Sequence, residues 1–494
     1  MSSKRRTNSS PPVPMRPSDA FFWYAEAATP ELRPLVAGLF LLDREPDRAR
    51  FRAAIDRLTV SMPRLRQRVV EAPFGLGLPV WREDPEFDLD YHLREIVLPE
   101  PATNRRLLRF VGEVFSAPLD HLRPLWEAHL IGGLEGGRSA LFMKLHHAVM
   151  DGVGSNALFD AMTQVRRGGA VTPARPAPAF RVSDAAPAGA LVRRGIAVAG
   201  TAARALVDPV DSFRQVARLV RGLGGLVGEI AAPRVATGNG NGTGIGRRLD
   251  GIVLSLPRMR RIKARLGVTL NDLVLAVVGG AVARYHARRG AHIDTMSCMV
   301  PVSLRQDHER ADLGNRVGGF LIQLPIGEPD PLARLSRIRE QTQAAKRGGN
   351  GAAYQLLMQA SALVPAAVFR GVAHRMAGRT ELICSNVPGP STARYLAGAR
   401  VDAVYPFAPV MLGTPLAIAL VSYGTSYGVG IAADPSVIPD PERLGRYLEL
   451  AIDDIERCAE PAVSPRGAKH AGTAHSTAPR ARPLRGGLHG VAKA

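Results

Sequence analysis

The sequence predicts an α/β protein made of two halves. Its 494 residues exceed what a single hydrophobic core usually holds, and a hydrophobic content of 46% supplies material for large cores. In the first part of the chain and again in the last part, segments with helical spacing alternate with strand-like runs. A stretch of different composition separates them, which predicts a linker between the halves.

The first half extends over residues 17–165. Apolar residues at helical spacing predict a helix over Asp47 to Leu58, and Ser139 to Leu145 has the pattern of a strand. Residues 1–16 precede this half and are basic and rich in proline and serine, so we expect a disordered tail there.

Residues 166–246 form the predicted linker, which starts with a Pro/Ala-rich stretch and ends with a Gly/Asn run. Between these, residues 191–230 carry apolar side chains at helical spacing, interrupted by six arginines. Such basic helices suit either a lipid surface or a position packed across the two halves, and the sequence leaves both interpretations open.

The second half extends over residues 247–460. Thr269 is placed to cap a helix that continues to Arg288. We expect further helices at Pro331 to Lys346, Ala352 to Ala377 and Pro441 to Cys458. We expect strands at Met296 to Ser303, Val317 to Leu324, Glu381 to Ser385, Leu416 to Tyr423 and Tyr427 to Ala433. Residues 461–494 read as a second disordered basic tail.

The formal charge of +20 is concentrated outside the predicted halves. Residues 1–17 carry four Lys/Arg and no acidic residue, and residues 462–494 carry six and none, so half of the excess lies in the tails. No nucleic-acid-binding signature accompanies these tails, so we expect no nucleic-acid partner. Attraction to an anionic membrane surface and simple solubility both remain open.

The cysteine pattern and the hydropathy indicate a cytoplasmic protein. Cys298, Cys384 and Cys458 lie far apart, which argues against a disulfide framework or a structural zinc site. No apolar run approaches the roughly 18 residues of a spanning helix. We therefore expect a protein without a transmembrane segment.

The run from His146 to Gly152 carries the strongest chemical signal. Two histidines follow directly on a predicted strand, and a glycine-containing loop, Asp151 to Gly154, follows them before a helix from about Asn156. Functional side chains concentrate at such corners because a rigid scaffold holds them while the loop exposes them. Since an imidazole has an ordinary pKa near 6.5, it can accept the proton of an alcohol at cellular pH.

Metal binding is the rival interpretation of the same run. His147 and Asp151 are four residues apart and would share one face of a helix. However, Gly152 and Gly154 argue against a regular helix, and no third ligand is evident nearby. A structural histidine pair is the other alternative, since a lone histidine seldom marks a catalytic site.

The complete spacing HHxxxDG resembles the active-site motif of CoA-dependent acyltransferases with the chloramphenicol-acetyltransferase-like fold. Over about residues 17–459 the chain is similar to the bacterial wax ester synthase/diacylglycerol acyltransferase family. The fragments that carry this resemblance are Ser18-Asp19-Ala20, Pro124-Leu125-Trp126-Glu127, Asn271-Asp272, Pro301-Val302-Ser303-Leu304-Arg305, Gly314-Asn315-Arg316-Val317-Gly318 and Ser385-Asn386-Val387-Pro388-Gly389-Pro390.

The resemblance implies two α/β halves with mixed sheets and a substrate tunnel between them. It assigns His147 as the general base, which deprotonates the acceptor alcohol and then protonates the leaving thiolate, without a covalent acyl-enzyme. His146, Asp151 and Gly152 take supporting roles, with Arg305 expected to pair with Asp151 and Gly152 giving the loop freedom to turn. Asn271 is expected to assist near the oxyanion.

Other interpretations of these fragments stay open. Asn271 also suits the first turn of any helix. Trp126 is more typical of a core, and Ser385 to Pro390 of a scaffold turn. Gly424 to Gly428 matches GxSxG, but a strand follows it instead of a helix, which favours a hairpin over a hydrolase nucleophile elbow.

The resemblance therefore implies an acyl-CoA-dependent O-acyltransferase that forms triacylglycerol from diacylglycerol, with wax esters from fatty alcohols as a second product. Acyl-CoA is a substrate and we expect no cofactor. We expect peripheral contact with a membrane or a lipid-droplet surface. The alternatives are a condensation-type acyltransferase fed by a carrier protein and a non-catalytic coat protein of lipid droplets.

Overall fold

The computed structural model of the chain describes residues 11–28, 33–71, 78–169, 244–304, 315, 317–361, 380–410 and 413–459. The predicted basic helices at 191–230, the tail at 461–494 and Arg305 lie outside these ranges. Within them, helices and mixed sheets alternate, which confirms the α/β prediction.

The strands are, in chain order, β1 Val13–Pro14, β2 Leu35–Leu42, β3 Gln67–Val70, β4 Val80–Glu83, β5 Leu93–Val97, β6 Trp126–Leu134, β7 Arg138–His146, β8 Arg248–Ser255, β9 Met296–Ser303, β10 Val317–Leu324, β11 Leu382–Val387, β12 Tyr395–Leu396, β13 Ala399–Phe407, β14 Leu416–Tyr423 and β15 Ser426–Ala433. The helices are α1 Pro17–Ala28, α2 Arg48–Ser61, α3 Leu89–His92, α4 Asn104–Ser116, α5 Gly152–Met162, α6 Leu256–Leu266, α7 Leu270–Arg288, α8 Pro331–Gly348, α9 Asn350–Ser361 and α10 Glu442–Ala459.

The first large sheet has the strand order β12-β13-β2-β7-β6-β5. Strand β7 pairs antiparallel with β2 and β6, while β5 runs parallel to β6. Since β7 lies inside the sheet, both of its edges are hydrogen-bonded and its carboxyl end is held rigidly. The run from His146 to Gly152 begins at that end.

The second large sheet has the order β10-β9-β11-β14-β15-β8. Strand β11 runs parallel to both β9 and β14, and the remaining pairs are antiparallel. A small sheet, β1-β4-β3, shares no strand pairing with either. One hydrophobic cluster of buried side chains contains the first sheet, the small sheet and part of the second sheet, and another lies within the second half.

Strand β13 connects the two halves, and the sequence analysis did not predict it. It pairs with β2 in the first sheet although it belongs to the predicted second half, 247–460, so that half is not spatially separate. An exposed Asp402 and a proline at 406 obscure its strand pattern. Glycines at 428 and 430 of β15 let it pass closely, since a Cβ at Gly428 would lie 1.8 Å from the Val404 carbonyl oxygen.

The predicted disordered tail at residues 1–16 needs correction for its last part. Val13 pairs with Trp81 in the small sheet, and the Met15 N–H donates a 2.8 Å hydrogen bond to the Pro79 carbonyl. The Met15 side chain is buried. Its burial offsets the entropy cost of ordering this segment, which the proline-rich composition did not indicate.

The capped helix of the second half is confirmed. Thr269 accepts a hydrogen bond from the Asp272 N–H, and the Asp272 carboxylate accepts one in return, so the pair forms a capping box before α7. No single helix among the described residues has the length and apolar character to cross a membrane. Helices α6 and α7 pass that test only as a pair bent by 104°.

Candidate active site

His146 is the last residue of β7, and His147 follows it at the predicted strand-to-loop corner. The His147 N–H donates a 2.7 Å hydrogen bond to the carbonyl of Pro34, which precedes β2. The backbone at the corner is therefore tied to the start of β2, which fixes the direction in which the Cα–Cβ bond of His147 leaves the chain.

The glycine-containing loop predicted at 151–154 is instead the start of helix α5. Asp151 is the N-cap, and its Oδ1 accepts a 2.8 Å hydrogen bond from the Gly154 N–H. Helical hydrogen bonding thus overrides the low helix propensity of the two glycines. The carboxylate of Asp151 is buried and points back into its own helix terminus.

The role expected for Gly152 also changes. Gly152 has no positive φ, so freedom to turn is not what requires a glycine there. A methyl group of Val387 approaches so closely that a Cβ at position 152 would lie 3.1 Å from it. The missing side chain lets β11 of the second sheet approach the start of α5.

The His147 ring is held on two sides. Phe22 of α1 stacks on it, with ring centroids 4.0 Å apart and planes inclined by 16°. At its edge, His147 Nδ1 lies 3.0 Å from Oδ1 of Asn315. These contacts come from segments far from His147 in sequence.

Asn315 is buried and held in turn by the first turn of α1. Its backbone N–H and its side-chain Nδ2 both donate to Oδ1 of Asp19, at 2.9 and 2.8 Å. The Ser18 hydroxyl donates to the Asn315 carbonyl at 2.8 Å, and Asn315 Nδ2 also donates to the His147 carbonyl at 2.7 Å. Asn315 is therefore anchored directly beside the histidine.

His146 points away from this cluster and is fully buried. Its Nδ1 accepts a 3.0 Å hydrogen bond from the Ala148 N–H, and its Nε2 lies 2.9 Å from Oε2 of Glu26. His121 reaches the same carboxylate oxygen at 3.2 Å. Burial raises the pKa of Glu26, but the hydrogen bonds from His121 and His146 outweigh it and lower that pKa to about 2.

Burial lowers the pKa of His147 below its ordinary value of 6.5, because the charged imidazolium is poorly solvated there. The carboxylate of Asp151, a hydrogen bond to the His147 backbone carbonyl and the hydrogen bond to Asn315 each raise the pKa, and the neighbouring His146 adds to the lowering. The net direction keeps the imidazole neutral at cellular pH, which is the state a general base requires.

His147 opens on a cavity of about 270 Å³ lined mostly by apolar side chains. The wall contains residues from both large sheets and from α5 and α9, among them Phe40, Met143, Phe159, Met299, Tyr354, Ser385, Val387 and Phe407. The apolar lining suits aliphatic chains. Ser385, Asn386 and Val387, which the sequence interpretation assigned to scaffold, form part of this wall.

The other candidate residues are placed as follows. Asn271 is half-buried in the first turn of α7 and is not part of the cavity wall formed by the described residues, so its assisting role stays a prediction. Trp126 belongs to the core, and its Nε1–H donates to the Leu65 carbonyl at 2.8 Å. The run Gly424 to Gly428 spans the hairpin between β14 and β15, as expected.

Sequence reasoning missed the contributions of Asn315, Asp19, Phe22 and Glu26. The last three recur at spacings of three and four along α1, which places them on one face of the helix. The sequence therefore contained the information that these three side chains share a helix face. Asp19 and Asn315 also lie in fragments that carry the family resemblance. In the part of the chain that the structure describes, no three His, Cys, Asp or Glu side chains are grouped to hold a metal ion.

Comparison with known proteins agrees with this geometry. The family model described as the wax ester synthase/diacylglycerol acyltransferase catalytic domain matches residues 15–274. The model of the WS/DGAT C-terminal domain matches residues 313–456.

Curated relatives match over most of the chain. The O-acyltransferase WSD of Acinetobacter baylyi is 30% identical over 465 residues, covering 90% of this chain and 97% of the relative. A putative diacylglycerol O-acyltransferase of Mycobacterium tuberculosis is 30% identical over 444 residues, covering 87% of this chain and 89% of the relative.

Solved structures share the fold. The wax ester synthase/diacylglycerol acyltransferase from Marinobacter aquaeolei superposes with a TM-score of 0.62 at 25% identity, covering 90% of this chain and all of that one. The first condensation domain of the CDA synthetase superposes with a TM-score of 0.58 at 18% identity, covering 91% and 98%, which shows the fold alone. The predicted α/β fold of two halves with mixed sheets is thereby confirmed, and the tunnel between them stays a prediction. The chain belongs to the wax ester synthase/diacylglycerol acyltransferase family, and it is an acyltransferase.

Proposed function

We propose that this protein transfers the acyl group of a long-chain acyl-CoA to the hydroxyl of diacylglycerol, with His147 as the general base. The observation that carries the proposal is the hydrogen bond between His147 Nδ1 and Asn315 at the wall of an apolar cavity. It leaves Nε2 as the ring nitrogen available to a substrate. Fatty alcohols are the second acceptor class in this proposal.

His147 takes the proton of the acceptor hydroxyl as the oxygen attacks the thioester carbonyl carbon. The C–O bond forms, and the carbonyl oxygen carries the negative charge of the tetrahedral intermediate. When the C–S bond breaks, the imidazolium returns the proton to the thiolate of CoA. Acid and base are thus the same residue, no acyl-enzyme forms, and acyl-CoA as substrate is the only small molecule needed besides the acceptor.

The intermediate needs a hydrogen-bond donor near its oxyanion, and the cavity wall contains one in Ser385. On β11, Ser385 shares a face with Val387, the residue that approaches Gly152 beside Asp151. We find no protein partner for the Ser385 hydroxyl within the described residues. Ser385 therefore joins Asn271 as a candidate donor.

Diacylglycerol is proposed ahead of fatty alcohols because several relatives are named diacylglycerol O-acyltransferase, including the Mycobacterium tuberculosis protein. The apolar cavity wall, which draws on both sheets, suits the aliphatic chains of either acceptor.

We also propose that the protein is cytoplasmic and contacts a membrane or lipid-droplet surface peripherally, because its acceptor is insoluble in water. Basic residues favour such a surface through attraction to anionic headgroups. On helix α6, Arg260, Arg261 and Arg265 are exposed along one side. Sedimentation with anionic liposomes, but not with neutral ones, supports this part. Equal sedimentation with both contradicts it.

A carrier-protein-fed condensation enzyme and a non-catalytic lipid-droplet coat are the competing functions. The test uses the purified full chain with palmitoyl-CoA and either dioleoylglycerol or hexadecanol, with ester products identified by mass spectrometry. Triacylglycerol formed faster than palmityl palmitate supports the proposal. If wax ester is the sole product, the acceptor is a fatty alcohol and the proposed diacylglycerol acceptor is wrong. No ester from acyl-CoA with either acceptor contradicts the proposed function.

A further inference from the structure

We propose that Asn315, held by Asp19, is a positioning residue that selects the tautomer of His147 with hydrogen on Nδ1. This inference rests on the proposed role of His147 as general base. It adds that the protonation site and orientation of the base depend on a side chain 168 residues away in sequence, at the start of the WS/DGAT C-terminal domain.

The orientation of the Asn315 amide follows from its partners. One end of the amide lies within hydrogen-bond distance of two acceptors, the Asp19 carboxylate and the His147 carbonyl. Neither acceptor can donate, so this end must be the NH₂ group. The other end, which faces His147 Nδ1 at 3.0 Å, is therefore the carbonyl oxygen.

An amide oxygen only accepts hydrogen bonds, so the nitrogen facing it must carry hydrogen. A neutral imidazole has a single N–H, and in His147 this places the lone pair on Nε2. A general base works through that lone pair. The Asn315 contact therefore favours Nε2 as the nitrogen that accepts the proton. The ring also has a hydrogen bond with the His147 backbone carbonyl, and Phe22 stacks on its face, so Asn315 shares the orientation of the ring with these two contacts.

Asp19 holds both the backbone and the side-chain amide of Asn315 in place. It is fully buried, and one carboxylate oxygen accepts both the backbone N–H and the side-chain Nδ2 of Asn315. Ser18 anchors the Asn315 carbonyl from the same turn of α1. Since Asp19 holds both the backbone and the side chain of Asn315, loss of the Asp19 acceptor is expected to remove two hydrogen bonds and to release the amide.

The direct test is histidine-selective ¹⁵N NMR on the full chain, with the His147 signals identified by their loss in His147→Ala. In the wild type we expect the pattern of a neutral ring protonated at Nδ1. A wild-type His147 protonated at Nε2 overturns the inference without any further variant.

Variants then connect the tautomer to the rate. Asn315→Leu keeps the volume but removes the acceptor, and we expect kcat to fall about 10- to 100-fold, as when other histidine-orienting partners are removed. The KM for acyl-CoA should stay within about twofold, and the Nδ1–H pattern should be lost. An exposed asparagine at the start of α4 supplies the matched control, Asn104→Leu, which should change neither.

Two variants of Asp19, the residue that holds Asn315, provide an independent test. Asp19→Asn retains an acceptor oxygen for the Asn315 amide and should keep most of kcat, whereas Asp19→Leu should lose as much as Asn315→Leu. If Asn315→Leu or Asp19→Leu loses activity while the Nδ1–H pattern persists, the positioning role is wrong. If His147→Ala retains full activity, the proposed function fails instead, so the two failures are distinguishable.

Discussion

Phe22 covers one face of the His147 imidazole, with the two rings nearly parallel and their centroids 4.0 Å apart. The stack excludes water from that face, while the other parts of the ring meet Asn315 and the cavity. Because water stabilises the charged imidazolium more than the neutral ring, this cover lowers the pKa of His147. A buried aromatic on α1 thus contributes to the protonation state of the proposed base.

The first prediction concerns pH. A base must be neutral, so kcat/KM should rise with pH through the pKa of His147 in the free enzyme and then level off. Since burial lowers that pKa, the midpoint should lie below 6.5. Replacing Phe22 by leucine admits water to the ring and should move the midpoint upward. A midpoint of the rise in kcat/KM above pH 6.5 in the wild type contradicts this account, and so does an unchanged midpoint in Phe22→Leu.

The second prediction concerns the Glu26 carboxylate between His146 and His121. Its pKa is lowered from 4.5 to about 2 in the folded chain, so it stabilises the fold above pH 4.5 and loses this contribution as the pH falls toward 2. The shift corresponds to about 3 kcal/mol as an upper value. Glu26→Gln should therefore lower the free energy of unfolding in urea by roughly 2–3 kcal/mol at pH 7.

The pH dependence of that difference is the diagnostic part. The difference in free energy of unfolding between the wild type and Glu26→Gln should become smaller as the pH falls from 5 to 3. Over this range the unfolded chain takes up a proton at Glu26, while the carboxylate of the folded chain stays ionised. A gap that stays constant over this range means that Glu26 acts through packing and not through its charge.

The third prediction separates the two candidate oxyanion donors. Ser385→Ala should lower kcat about 100-fold with little change in the KM for acyl-CoA, since a donor to the oxyanion acts only in the transition state. Asn271→Ala should leave kcat within about twofold because Asn271 is not part of the described cavity wall. The reverse outcome assigns the role to Asn271 and removes it from Ser385.

The sequence predicted the features that depend on local pattern. The cap at Thr269, the strand before His146 and the hairpin at Gly424 each follow from neighbouring residues, and the structure has all three. Asp151 shows the limit of such reasoning, because a strong N-cap begins a helix directly on two glycines that argued for a loop.

What could not be predicted depends on contacts between distant segments. The Asn315–His147 pair spans 168 residues, and strand β13 crosses from the second half into the first sheet. Neither leaves a periodic trace in the sequence. The helical spacing of Asp19, Phe22 and Glu26 was visible, but which partners that face meets is decided only by the packing of α1 against the corner after β7.

The most direct test of the central claim is the release of CoA from palmitoyl-CoA by the purified chain with dioleoylglycerol as acceptor, compared with His147→Ala. Since Cys458 is an exposed free cysteine, CoA should be quantified by chromatography and not with a thiol reagent. We expect wild-type release to require the acceptor, and the variant to be slower by about 10²- to 10⁴-fold, the usual contribution of a general base. Equal rates for the wild type and His147→Ala would contradict the assignment of His147.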